Sequence, residues 1–133
     1  MDETLQRIEK FHGHLGPYVV IGYRMGEIAC QKTNSDPFKK EVEIFTGIQP
    51  PISCIIDGIQ LSSGCTLGKG NIKVKNENKP SATFKDKNTD KQINIILKKN
   101  IQQKIDTQVT EENIVDFSKK IFNQPVESLF EIF

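Results

Sequence analysis

The chain has 133 residues, 36% of them hydrophobic and 26% charged, with a formal net charge of +1 at pH 7. That length suits one domain with one core, the composition excludes an intrinsically disordered chain, and near-neutrality argues against a polyanion-binding role for the whole molecule. No segment approaches the roughly 20 apolar residues of a membrane span, and Met1-Asp2-Glu3-Thr4 has no basic region followed by an apolar one, so no export signal is expected.

Residues 4–10 read as a short helix. It leads into Phe11-His12-Gly13-His14-Leu15-Gly16-Pro17, which holds both histidines of the chain. In an extended segment, side chains two apart project to the same side. His12 and His14 can then converge on a cation such as zinc, for which neutral imidazole is a common ligand, while Gly13 and Gly16 let the backbone turn around it. The competing reading of so short a pattern is a chance pair of surface histidines. Pro17 suits the first turn of a helix, and Tyr18 to Cys30 read as that helix. Gly22 and Gly26 lie one turn apart, with Cys30 continuing the line. Glycines weaken a helix by roughly 1 kcal/mol each against alanine, so this stripe predicts close packing against another helix or a partner protomer. Arg24 is a candidate to hold a substrate carboxylate or phosphate bidentately. A structural ion pair with Glu27 or Asp57 competes with that role.

Residues 41–46 alternate as a strand. Pro50-Pro51-Ile52-Ser53-Cys54 then opens a helix, with Ser53 as its N-cap and Ile55, Ile56 and Ile59 as its apolar stripe. Cys54 falls in the first turn, where backbone N–H groups and the helix dipole favour an anion, which suits a metal ligand or a reactive thiol. A small buried hydrophobe is the competing reading. Asp57, one turn later, is placed to orient a ligand or to support one by a hydrogen bond. Gly64-Cys65-Thr66-Leu67-Gly68-Lys69-Gly70 departs from a nucleotide phosphate loop: its first glycine is one position late, and Gly70 stands where Ser or Thr should bind magnesium. Its backbone N–H groups and Lys69 leave an anion nest open, against a tight turn feeding the next strand.

Strands near 71–76, 81–86 and 92–98 read as a meander. Ten lysines against three acids (Glu77, Asp86, Asp90) over residues 69–104 read as protection of sheet edges. Nucleic-acid binding is the weaker reading, because Phe84 alone offers an aromatic ring for stacking there. After two turns, residues 111–122 read as an amphipathic helix on Ile114, Val115, Phe117, Ile121 and Phe122, with Thr110 as N-cap. Strands in the middle and helices at both ends make the fold class α+β. The layout is a single core domain over 1–133, an antiparallel sheet packed by helices. Three scattered cysteines beside a His-x-His pair suit a reducing cytoplasm better than a disulfide framework. Cys30 reads as buried and idle.

Two blocks carry a family resemblance. The first is Phe11-His12-Gly13-His14-Leu15-Gly16-Pro17 with Gly22-Tyr23-Arg24-Met25-Gly26. The second is Cys54 and Asp57-Gly58-Ile59-Gln60, followed by Gly64-Cys65-Thr66-Leu67-Gly68-Lys69-Gly70-Asn71. In this order and separation they resemble the core domain of the FmdE family of formylmethanofuran dehydrogenase components, and Pro125 to Phe130 is similar to its closing segment. The resemblance implies an intertwined α+β homodimer with a cleft lined by the His-Gly-His and Cys residues. It implies His12, His14 and Cys54 as metal ligands, and Cys65 near the same cleft. Leu15 stands where many relatives have Cys, and no CxxC pair is present for the zinc-ribbon module that other relatives append.

Three protein ligands leave a fourth position open, the pattern of catalytic or substrate-binding zinc. The expected function is therefore a metal-binding protein, with zinc or another transition metal, accessory to formylmethanofuran and one-carbon metabolism in methanogenesis. Its expected partners are a small-molecule ligand or the formylmethanofuran dehydrogenase subunits. Cys54, Cys65 and Arg24 are the candidates for catalysis, with Asp57 and Lys69 as supporting or anion-binding groups. The chain has neither a ferredoxin-like cysteine run nor the size to enclose a molybdenum or tungsten pterin, so it is not expected to run that redox reaction alone. The alternative is a non-enzymatic metal- or redox-sensing module using Cys54 and Cys65, or a partner-binding one whose His-x-His only shapes a loop. The Lys-, Asn- and Ile-rich usage is compatible with an archaeal source.

Overall fold

Asp2 accepts a hydrogen bond from the Thr4 N–H at 2.7 Å, and this cap starts helix α1, Glu3–His12. Leu5 and Ile8 bury its inner face. The helix stops at Gly13, whose φ of +101° is a left-handed conformation that glycine adopts without strain. His12 is thus the last residue of a helix, and the extended His-x-His geometry expected from spacing is not what forms. Helix α2, Pro17–Lys32, begins with its proline in the first turn, where a missing N–H costs nothing. A computed structural model describes all residues 1–133. After α2 come strand β1 (Lys40–Ile44), helix α3 (Cys54–Ser63) and strands β2 (Ile72–Val74), β3 (Ser81–Asp86) and β4 (Gln92–Leu97). Helices α4 (Lys99–Gln108), α5 (Ile114–Asn123) and α6 (Val126–Leu129) and strand β5 (Phe130–Ile132) complete the chain.

The five strands lie in the order β2-β1-β3-β4-β5. Only part of the expected meander exists. β3 and β4 form an antiparallel hairpin, but β2 sits at the far edge, parallel to β1 with Val42 opposite Ile72. A parallel pair needs a crossover between its strands, and the segment carrying α3 supplies it. β1 and β3 are buried on alternate residues, whereas β2 exposes Lys73 and Val74, so the longer apolar strand takes the interior and the short polar one the rim. The remaining pairings are antiparallel, and β5 adds to β4 with Leu97 opposite Phe130. The fold is α+β.

Helix α2 is the hub, packed on α1, α3, α5 and β4. The glycine stripe finds its partner within the chain. A Cβ on Gly22 would overlap the Ile55 carbonyl oxygen, and one on Gly58 the Val19 carbonyl oxygen, so α2 and α3 touch backbone to backbone. Arg24 fastens the third helix. Its guanidinium Nη1 donates to the carbonyls of Ile121, Phe122 and Gln124 at 2.8–2.9 Å, satisfying acceptors that a helix C-terminus leaves open. Its Nε lies 4.0 Å from Glu27.

Two helical readings need correction. Residues 99–108, expected as turns, form α4; Ile101 and Ile105, one turn apart, are both buried. Helix α5 begins at Ile114 rather than 111, and Thr110 does not cap it directly. Thr110 and Asn113 instead bond each other's backbone N–H groups through their side chains at 3.2 and 2.7 Å, which closes a turn before the helix.

Candidate functional site

The end of α1 and the start of α3 meet at His12. Its Nδ1 lies 2.6 Å from Asp57 Oδ2, so that nitrogen carries the proton and donates to the carboxylate. The tautomer leaves the Nε2 lone pair available. His12 is 9% exposed in its side chain, Asp57 39%, and Nε2 is buried without a hydrogen-bond partner. Leaving a buried polar atom unpaired costs about 1–3 kcal/mol, which marks Nε2 as an atom with something to bind. Beyond Gly13, His14 is exposed. Its ring centroid lies 4.8 Å from that of His12, at 37° between planes.

Cys54 begins α3, but not in the anion-friendly setting expected of it. Ser53 has helical backbone angles and makes no capping bond. The N–H groups of Cys54, Ile55 and Ile56 are taken by the carbonyls of Pro51, Ile52 and Ser53 at 2.9–3.2 Å. Burial pushes the Cys54 thiol above its ordinary range, and the Asp57 charge pushes it further. Without a cation beside it, the thiolate is disfavoured. In metal-stripped protein, alkylation of Cys54 by iodoacetamide, followed residue by residue by mass spectrometry, should rise with pH later than for a cysteine peptide. Asp57→Asn should bring that midpoint part of the way back down. A wild-type midpoint below that of the peptide would contradict this account.

These groups share a pocket of about 270 Å³. His12, His14, Tyr18 and Cys54 line it from the α1–α2 and α3 side, and Asp106 and Ile114 from α4 and α5. Tyr18, buried at 4% exposure, donates from its hydroxyl to Asp106 Oδ1 at 2.6 Å. Burial foremost, then this bond, pushes its phenol well above the usual tyrosine range, so it remains a donor at all ordinary pH. Sequence reasoning missed this pair. Asp106 lies on the helix read as turns, although the Ile101–Ile105 spacing pointed to it. Tyr18 was visible only as a helix residue.

No three His, Cys, Asp or Glu side chains are already gathered closely enough to enclose a metal ion. His12, His14 and Cys54 share the pocket wall without forming such a cage. Other residues singled out in the sequence lie elsewhere. Arg24 is engaged at the end of α5, and neither it, Cys65 nor Lys69 lines the pocket. Cys65, fully buried, follows α3, with Sγ 3.8 Å from the Lys40 carbonyl. At 1.5 Å rise per residue the ten-residue helix puts it about 16 Å from Cys54, far beyond the roughly 4–7 Å Cα separation of a disulfide. The two cannot sense redox state by joining while α3 is intact. Lys69 Nζ sits over the Phe38 ring, 5.5 Å from its centroid. Cys30 Sγ lies 3.6 Å from the Ser62 carbonyl.

The class this architecture defines is a small α+β domain with a pocket between its first three helices and its C-terminal ones. The same fold occurs in a tungsten formylmethanofuran dehydrogenase FmdE-like protein from Syntrophus aciditrophicus, at a TM-score of 0.66 and 20% identity, over 98% of this chain and 69% of that one. The family model for FmdE, described as molybdenum formylmethanofuran dehydrogenase operon, matches residues 11–131, and the chain belongs to this family. A probable S-adenosyl-L-methionine-binding protein from Archaeoglobus fulgidus is 35% identical over 74 residues. That match covers 54% of this chain but only 20% of the relative. No helix is long and apolar enough to cross a membrane.

Proposed function

We propose that this chain is a metal- and ligand-handling accessory protein of formylmethanofuran and one-carbon metabolism, with a transition metal, zinc foremost, held by His12, His14 and Cys54. The observation that carries this reading is His12: one ring nitrogen fixed by Asp57 at 2.6 Å, the other buried and unpartnered. A carboxylate behind an imidazole is the usual support of a histidine metal ligand, fixing its tautomer and raising its basicity. Sulfur and nitrogen donors are the set that zinc prefers. His14, exposed on the loop after Gly13, is free to turn its ring toward the site, and Cys54 has in the metal the cation its thiolate lacks.

Once bound, such a metal polarises a carbonyl or lowers the pKa of a water. The protein groups do the rest. Asp57 keeps the His12 proton on Nδ1, Tyr18 and Asp106 present a fixed polar pair, and the apolar side chains of Val19, Ile105 and Ile114 hold the body of a small ligand and exclude water. A homodimer and docking to the other formylmethanofuran dehydrogenase components belong to the same reading; exposed Phe11, Phe38 and Leu67 supply apolar surface for such contacts.

The test is elemental analysis of purified protein by plasma mass spectrometry. Wild type should carry about one equivalent of transition metal, and His14→Ala and Cys54→Ala should each lose it while keeping the wild-type circular dichroism spectrum. A wild type that is metal-free and binds none on reconstitution overturns the metal site.

A further inference from the structure

The pocket's charge pattern says something about its ligand. Among the residues lining it there is no lysine or arginine, although the chain has 18 of them. Its one lining carboxylate is Asp106. That group is not neutralised by an ion pair; its side-chain bond is the one from the Tyr18 hydroxyl to Oδ1 at 2.6 Å. A carboxylate offers about four lone-pair directions, so Tyr18 orients Asp106 and leaves most of its accepting capacity unused. Around the pair, Pro17, Val19, Pro51, Ile105, Val109 and Ile114 give carbon surface.

We propose that Asp106, oriented by Tyr18, makes this pocket selective for a small ligand bearing an amine or similar cationic donor on a compact apolar body. A ligand ammonium group would place its donors on the free lone pairs of Asp106 as a charge-assisted hydrogen bond. A carboxylate or phosphate would bring its charge against Asp106 with no lysine or arginine in the wall to offset it, which is selection by repulsion as much as by attraction. At about 270 Å³ the pocket is slightly below the usual range for drug-sized ligands, so one ring with a short substituent fits the available space better than a nucleotide. Asp106 is a specificity residue here, and Tyr18 positions it.

This inference rests on reading the pocket as a ligand site, but not on the metal. The experiment therefore uses metal-stripped protein, with benzylamine, benzyl alcohol and benzoate as probes in NMR titrations at pH 7. Benzylamine should bind at least about tenfold more tightly than benzoate, with benzyl alcohol between them. Asp106→Asn should bring benzylamine down to the level of the alcohol. Tyr18→Phe should keep the order of the three while narrowing it, which a role in packing alone would not do. Three results overturn the proposal: benzoate binding as tightly as benzylamine, an amine preference that survives Asp106→Asn, or no binding by any probe. Elemental analysis of the reconstituted protein separates the two ideas. Protein that never takes metal yet prefers the amine refutes the metal site alone, and protein that takes metal without preferring the amine refutes this inference alone.

Discussion

Gly58→Ala should lower the stability of the protein by about 3 kcal/mol, at the upper end of what an overpacked core costs. For a chain of this size that corresponds to a melting temperature roughly 10 °C below wild type. The added Cβ would overlap the Val19 carbonyl oxygen and the Tyr23 backbone nitrogen, with the Gly22 carbonyl carbon 2.8 Å away. All three belong to the backbone of α2 and cannot rotate aside like a side chain. The helices must separate, and the damage reaches the pocket, because α3 carries Cys54 and Asp57 while α2 carries Tyr18. Gly68→Ala is the control. There a Cβ meets only the Thr66 hydroxyl at 4.0 Å, and the stability should stay within about 0.5 kcal/mol of wild type. Equal melting of Gly58→Ala and wild type would mean that the two helices pack less closely than this.

Asp57→Ala should weaken zinc binding about 10- to 100-fold, the usual effect of removing the carboxylate behind a histidine ligand, while leaving the stoichiometry at one. Two effects act together. His12 loses the bond that sets its tautomer, and the site loses a negative charge that raises the Cys54 thiol. The second effect makes the thiolate easier to form, so it opposes part of the loss. Asp57→Asn, which can still accept the His12 proton, should fall nearer tenfold. Competition with a chromophoric chelator reads both constants. Unchanged affinity in Asp57→Ala would show that the 2.6 Å contact is structural only.

Much of the molecule is legible along the chain. The start of α2 follows from Pro17, the close contact of α2 and α3 from Gly22 and Gly26, and the α+β class from strands flanked by helices. Cues of this kind act over a few residues, through backbone angles and side-chain period. The two sequence blocks also carry the family, because residues 11–17 and 54–71 hold glycines and polar groups together at fixed spacing.

The errors have a common cause. The Ser53 cap failed because the preceding turn had already used the N–H groups, something no residue preference reports. The meander failed because strand order depends on which partner buries more apolar surface: β1 outcompetes the short, exposed β2 for the place beside β3, although β2 precedes β3 directly. Asp106 went unnoticed because α4 has a thin apolar stripe, Ile101 and Ile105, and its polar face matters only where Tyr18 lies opposite.

By itself, then, the sequence determined the helix starts, the glycine stripe, the family and the segments that bear chemistry, since each is written in neighbouring residues. Tertiary structure alone decided that His12 would meet Asp57, 45 positions away, that Tyr18 would meet Asp106, 88 away, and that Arg24 would close α5 instead of facing a ligand. Such pairings are set by how whole elements pack, and local propensity carries no information about which distant side chain will arrive within hydrogen-bonding distance.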